Sequence, residues 1–399
     1  MESGIFFRIG QLFRVPYGGE GVDFVDQLNY QFTSGLLIVF IIIIGIRQYV
    51  GKPIQCWVPQ EFTRSWEEYA ENVCWVQNTY FLLPHEDVPN NEYELSKVRY
   101  ISYYQWVAIV LAGQAVMSWV PHLIWRVWSR RVPILLRSAR EASFPDREIR
   151  RKAISCLVAA LEEQTESGAR FRKIKGIFGK CLGGVNPTAR VTLLFIFVRL
   201  LFIANNIGQI FMMKKFIGTN ETTFGITVFR DLLDGNEGQI SATFPRVTYC
   251  TIKVRKMGQV KPGSYTLQCV LPINYFVEKV YVFLWFWFII LSILTTLNTV
   301  QWTLNVCVPL RRVQFIRQYL KALKVITSTD ERDCVRFVRK NLGCDGIFLL
   351  QSVSRISSDL IALDVTGTLW NNYKRAKLAG NEDDIHRIID SVNRSSTVV

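Results

Sequence analysis

Four long runs without charge constrain this chain more than any other feature of it. A helix that crosses a bilayer needs roughly 20 mainly apolar residues. Stretches of that kind lie at 33–50, 101–127, 191–213 and 275–303, with Arg47 near the end of the first and Arg199 inside the third. Aromatic residues crowd several of their ends, as they do at a lipid–water boundary. With 49% hydrophobic residues, the chain is too apolar for an ordinary soluble domain. With 20% charged residues, it also keeps large parts outside lipid. The expected fold class is therefore all-α transmembrane, with four spanning helices. Residues 1–32 carry Glu2, Glu20, Asp23 and Asp26, and no small-residue cleavage site follows the first run, so span one reads as a retained anchor.

Basic residues fix an expected orientation. Lys and Arg number 15 in 126–190 and 15 in 304–399, against four in 51–103 and eight in 214–277. The positive-inside rule puts the two rich segments, and with them both termini, in the cytoplasm. The segments 51–100 and 214–274 are then extracellular, and 128–190 and 304–399 form a helical cytoplasmic dome. The formal charge of +14 is accounted for by this asymmetry and gives no nucleic-acid signal; membrane lipids are the anionic partner it suits.

Cysteine placement agrees. Cys56 and Cys74 lie in the first outer segment, Cys250 and Cys269 in the second, the compartment where disulfides persist. Four cysteines allow three connectivities, and counting does not choose among them. Spacings of 17 and 18 intervening residues, with His85 as the sole nearby histidine, do not suit zinc, so no metal is expected. "VTYCTIKV" and "SYTLQCVLP" flank a turn containing Gly258, Pro262 and Gly263, which predicts a hairpin of 247–254 with 264–271. Asn220-Glu221-Thr222 is a glycosylation sequon on the outer side.

The dome segments read as helices. Pro145, Asp146 and Glu148 suit the start of one, followed by an apolar stripe from Ile149 to Leu161. In the tail, Ser328 or Thr329 caps a helix that stops at Gly343, Asp345 starts the next, and the chain past Asn381 is expected to be loosely ordered.

Enzymatic signatures are missing. "GIFGKCLGG" lacks phosphate-loop spacing, and there is no HExxH, GxSxG or repeated CxxC, so no catalytic residues and no cofactor are expected. Pro121 and His122 sit inside span two, where proline removes one backbone hydrogen bond and bends the helix. A packing kink and a gating role are both open for that pair. A channel subunit, a receptor-like subunit and an adhesion or scaffold protein remain.

Particular motifs narrow the choice. "YYQWV" opens span two at Tyr103, and "PHLIW" follows inside it at Pro121. "YVGKPIQCWVPQEF" begins at Tyr49, "YAENVCWVQNTYF" at Tyr69, "CDGIFLL" at Cys344 and "LWNNY" at Leu369. As a set, with two cysteines per outer segment, they resemble the innexins, the invertebrate gap-junction family, over nearly the whole chain. The resemblance implies a channel subunit at the plasma membrane. Rings of eight subunits would dock across adjacent cells and pass ions and small metabolites, alone or as hetero-oligomers with other innexins. It implies the pairing Cys56–Cys269 and Cys74–Cys250. It also implies that the N-terminal segment, in which Ile5, Ile9, Leu12 and Phe13 recur at helical spacing, folds into the pore, so that Glu2, Ser3, Ile5, Arg8 and Gln11 line it. An interfacial helix on the membrane surface is the alternative for that segment. Alternatives for the whole chain are an undocked hemichannel releasing small solutes and a non-conducting adhesion or scaffold protein.

Overall fold

The computed structural model of the protein describes residues 23–82, 88–89, 100–129, 131–143, 146–178, 189–218, 224–233, 244–255, 263–326 and 330–395. Four helices are long and apolar enough to cross a membrane: α1 (Phe24–Tyr49), α3 (Val107–Trp128), α6 (Arg190–Ile217) and α8 (Pro272–Cys307). α1 begins nine residues before the apolar run at Thr33, because a π-helical turn, Leu28–Phe32, carries the helix through a polar entry. At 1.5 Å per residue the 36 residues of α8 extend about 54 Å, well beyond the ~30 Å hydrocarbon layer. Each long helix buries one stripe. In α6 the stripe is Phe195, Val198, Phe202, Asn206, Gln209 and Met213, steps of three and four that keep one face inward. The opposite faces stay bare: Ile38, Ile42 and Ile46 on α1, and Ile290, Ile293 and Leu297 on α8, are more than half exposed in the single chain.

The chain divides into two compact units. The second unit, Leu28–Val120 with Phe202–Leu294, contains the segments between spans one and two and between spans three and four. Its centre is a five-stranded antiparallel sheet in the order β1-β5-β4-β2-β3. The strands are β1 (Gln55–Trp57), β2 (Thr79–Tyr80), β3 (Tyr100–Ile101), β4 (Val247–Val254) and β5 (Gly263–Val270). The predicted hairpin is thus the middle of a larger sheet. The added strands are two or three residues long, too short for a period-2 pattern to reveal. Thr248, Cys250 and Ile252 of β4 and Leu267 and Cys269 of β5 are buried on one face. Helix α2 (Arg64–Gln77) buries Ala70, Glu71 and Cys74, one side of its turns. Helix α7 (Phe224–Leu233) packs so closely that a Cβ added to Gly225 meets the Trp285 ring at 2.5 Å.

The first unit, Met1–Gln27 with Pro121–Leu201 and Thr295–Val399, holds the remaining helices: α4 (Arg131–Glu141), α5 (Arg147–Phe178), α9 (Pro309–Ala322), α10 (Glu331–Arg336), α11 (Gly343–Ile356) and α12 (Asp359–Ser395). Asp146 Oδ1 accepts the Glu148 N–H at 2.9 Å and caps α5. The tail matches its sequence reading at Gly343 and differs from it at the end. A π-helical turn, Phe337–Leu342, extends α10 and is C-capped by Gly343, whose φ of 61° is a conformation glycine adopts without strain; α11 starts there. And α12 continues helical past Asn381, as far as Ser395.

Candidate functional site

In the second unit, Cys56 is bonded to Cys269 and Cys74 to Cys250. Cys56 and Cys269 sit opposite one another on β1 and β5, while Cys74 reaches Cys250 from α2. The sulfurs of Cys56, Cys74 and Cys269 lie within 4.8 Å of one another, so the two bridges stand side by side under one sheet face. Those sulfurs are consumed in S–S bonds and offer no thiolate to a metal. Each bridge joins the segment after span one to the segment after span three, across 213 and 176 residues of chain.

The YYQWV motif ties spans to this platform. The Gln105 side-chain amide donates to the Trp75 carbonyl and to Asn78 Oδ1, at the end of α2 where Asn78 turns with φ 72°. Tyr104, fully buried, packs on Trp75 with ring centroids 4.8 Å apart, and Tyr103 meets Phe216 and Phe244. Glu71 is buried and accepts a 3.1 Å bond from Lys52, whose ammonium that bond pushes above its ordinary range. Glu67 is half-buried and Glu68 exposed, so of the three acidic residues of α2 only these two are open to an outside partner. Arg47 places its guanidinium 4.9 Å over the Phe276 ring.

The first unit carries a charged knot. Arg199, 1% exposed, donates to Asp26 at 3.0 Å and to Asp23 at 3.2 Å. The same Asp23 Oδ2 accepts from Asn298 at 2.5 Å, from the Trp302 indole at 2.9 Å and from Arg355 at 3.4 Å, while Asp23 Oδ1 takes the Phe24 N–H. Arg355 lies 4.2 Å over the Trp302 ring, and Arg199 4.7 Å over Phe195. The sequence singled out Arg199 but supplied no partner for it; its acids stand 173 and 176 positions away.

Motif residues surround that knot. Asp345 lies in the first turn of α11, where its sequence reading put it, but its side chain caps α6, accepting from the Val191 and Thr192 amides and the Thr192 hydroxyl. Burial pushes its carboxyl up, against the lowering pull of those donors. Trp125 of PHLIW, Phe195, Trp302 and Phe348 of CDGIFLL form one aromatic cluster. Asn372 of LWNNY donates to Glu162 on α5, and Trp370 is enclosed by Phe337 and Tyr373. Pro121 lies within α3, which runs unbroken through it, and His122 is buried beside it. Glu2, Ser3, Ile5, Arg8 and Gln11, and the sequon at Asn220, lie outside the described residues.

Comparison with known proteins matches an innexin family profile to residues 22–373. Innexin unc-9 of Caenorhabditis elegans is 39% identical over 361 residues, covering 88% of this chain and 92% of the relative. Innexin-11 of the same organism is 33% identical over 371 residues, covering 89% and 79%. Innexin eat-5 is 29% identical over 398 residues, covering 93% and 91%.

Proposed function

This chain belongs to the innexin family, is a multi-pass membrane channel subunit of gap junctions, and from that premise we propose how its two units divide the work. The segments between spans one and two and between spans three and four face outward and dock; the segment between spans two and three, the tail and both termini are cytoplasmic. The observation that carries this reading is the pair of bridges joining the two inter-span segments into one rigid platform. Disulfides belong to the outer compartment, whereas Cys156, Cys307, Cys334 and Cys344 of the first unit are free thiols, as a reducing cytoplasm requires.

Subunits assemble into a closed ring, which we set at eight by family likeness. The bare faces of α1 and α8 support that assembly, since they offer apolar surface to lipid and to neighbouring copies. Rings on apposed cells meet through the second unit. The net charge of segment 51–103 is −4, from four basic and eight acidic residues; that of 214–277 is +4, from eight and four. Such opposite fields steer one ring onto another. Glu67 and Glu68 are the acids positioned for this, and Glu71 is not, because Lys52 holds it. Within each ring, the first dozen residues enter the pore, so that Glu2, Ser3, Ile5, Arg8 and Gln11, repeated by symmetry, line its narrow part. Rings of one sign set ion selectivity. Assembly with other innexins and a glycan at Asn220 complete the proposal, and a bulky sugar so close to the docking face regulates apposition.

Double voltage clamp on two contacting cells expressing only this chain tests the reading. Current passing directly between the cells is the expected result. Single-cell current without coupling, with the protein at both surfaces, replaces the docked channel with a hemichannel. Glu2→Gln shifts the cation/anion permeability ratio if residue 2 lines the pore; an unchanged ratio removes it from the lining.

A further inference from the structure

CDGIFLL and LWNNY meet at a cleft in the first unit, between α5, the π-helical turn 337–342, α11 and α12. Gly346 comes from the first motif; Leu369, Asn372 and Tyr373 come from the second. The cleft holds about 370 Å³. Leu161, Leu342 and Leu369 are buried and form an apolar wall, while Phe337 and Tyr373, with ring centroids 5.2 Å apart, form an aromatic one. Phe337 and Leu342 both come from the π-helical turn, a rare geometry that gathers at functional sites. Against this lining stands one acidic group, Glu162 of α5, the sole charged residue among the described residues that line the cleft. Its Oε1 accepts the Asn372 amide at 2.9 Å, which fixes the orientation of the carboxylate. A carboxylate has about four acceptor positions, so that bond leaves acceptor capacity. The nearby cations of α12 do not line the cleft: Lys374 pairs with Asp330 at 2.9 Å and Lys377 with Asp333 at 2.7 Å.

We propose that this cleft binds a small amphipathic ammonium, with an apolar or aromatic body between the leucines and the aromatic pair and a protonated amine that donates to Glu162. Its volume corresponds to about a dozen waters at liquid density, and so to a ligand of about a dozen heavy atoms. Small-molecule sites begin at about 300 Å³, are lined mainly by apolar and aromatic side chains, and orient the ligand with a few polar groups. Charge selects the head group. An anionic head would meet Glu162 with like charge, and a neutral one forgoes the charge-assisted hydrogen bond that an ammonium makes. The faces of Phe337 and Tyr373 attract the same cation. A bound ligand touches α5, α11 and α12 at once and stabilises their packing, since it binds the folded chain alone. The site is built entirely from the first unit and is independent of what lines the pore.

The test uses phenylbutylamine as the probe, with phenylbutanol and phenylbutanoate carrying the same body on a neutral or an anionic head. Ligand-observed NMR on the detergent-solubilised full chain, with empty micelles subtracted, reads the dissociation constants. The amine binds about tenfold more tightly than the alcohol, the scale of one hydrogen bond to a charged group, and the carboxylate does not bind. Glu162→Gln keeps the shape of the side chain and an acceptor for Asn372, and brings amine and alcohol to equal affinity. Ala376→Trp, at an exposed position of the lining, fills the cleft and removes binding of both. Thermal melting shows whether each variant folds; where Glu162→Gln lowers Tm, the head-group preference of the parent and Ala376→Trp still decide. An amine that does not bind the parent overturns the proposal. An alcohol that binds as tightly as the amine also overturns it and leaves an apolar cleft for neutral bodies. So does a preference for the amine that survives Glu162→Gln, or amine binding that survives Ala376→Trp, which puts the site elsewhere.

Discussion

Replacing Arg199 by Met tests the energetics of the charged knot most directly. The two side chains are similar in length, so the change removes a charge and little volume. Asp23 keeps Asn298, Trp302 and Arg355. Asp26, 8% exposed, loses its ion-pair partner. Leaving one member of a buried pair without the other costs about 3–5 kcal/mol, whereas removing both is close to neutral. At roughly 2.1 cal/mol/K of unfolding entropy per residue, a chain of 399 residues melting as a unit has about 0.8 kcal/mol/K, so Tm falls by about 4–6 °C. The assay is thermal loss of the monodisperse, detergent-solubilised channel. Arg199→Met with Asp26→Asn restores most of the loss, because the second change removes the stranded charge. A single variant as stable as the parent, or a double variant no better than the single, refutes the reasoning.

Gly225→Ala drives a methyl into the Trp285 ring and costs about 1–3 kcal/mol by overpacking; an unchanged Tm in the same assay contradicts the close approach. Cys250→Ser unfastens α2 from β4 and costs about 2–5 kcal/mol. It abolishes cell-to-cell current while leaving the protein inserted; coupling at parent level shows that docking does not need that bridge. Asp345→Ala strips the α6 start of its cap for about 1–2 kcal/mol, seen as a lower Tm and absent if another group takes over those amides. Pro121→Ala keeps conductance and voltage response if the proline only serves packing; altered gating assigns it the functional role.

The spans were legible because lipid enforces a length and bars charge, and both leave a plain mark on sequence. The polar start of α1 left none. Its residues 24–32 include Asp26, Asn29 and Gln31, and they are helical because distant groups satisfy them: Asp26 by Arg199, Asn29 by Asn206. Composition showed Arg199 to be unusual but not paired, since pairing is a property of tertiary distance. The same holds for β1, β2 and β3, which exist as strands only because β4 and β5 are there to bond them or to lead on to them. The motifs behind the family resemblance gave the function without its reason. In the folded chain they are joints: YYQWV at the platform, PHLIW and CDGIFLL in one aromatic cluster, LWNNY against α5. Asp345 shows the limit most clearly. It stands in the first turn of its own helix, as its segment suggests, yet its side chain caps a helix more than 150 residues earlier.

The side-by-side bridges also impose an order on biogenesis. Cys56 and Cys74 are synthesised first and have no rightful partner until the ribosome has passed Cys250 and Cys269, two spans later. During that interval the nearest available thiols are each other's, and in the finished fold their sulfurs are still within 4.8 Å. A premature Cys56–Cys74 bond would therefore be an easy error to make. It would also be an easy one to correct, because a thiolate from Cys269 arrives within reach of both sulfurs and displaces one. Neither bridge can close until spans two and three have been made and the segment that follows them lies beside the first, so the finished pair records that order in covalent form.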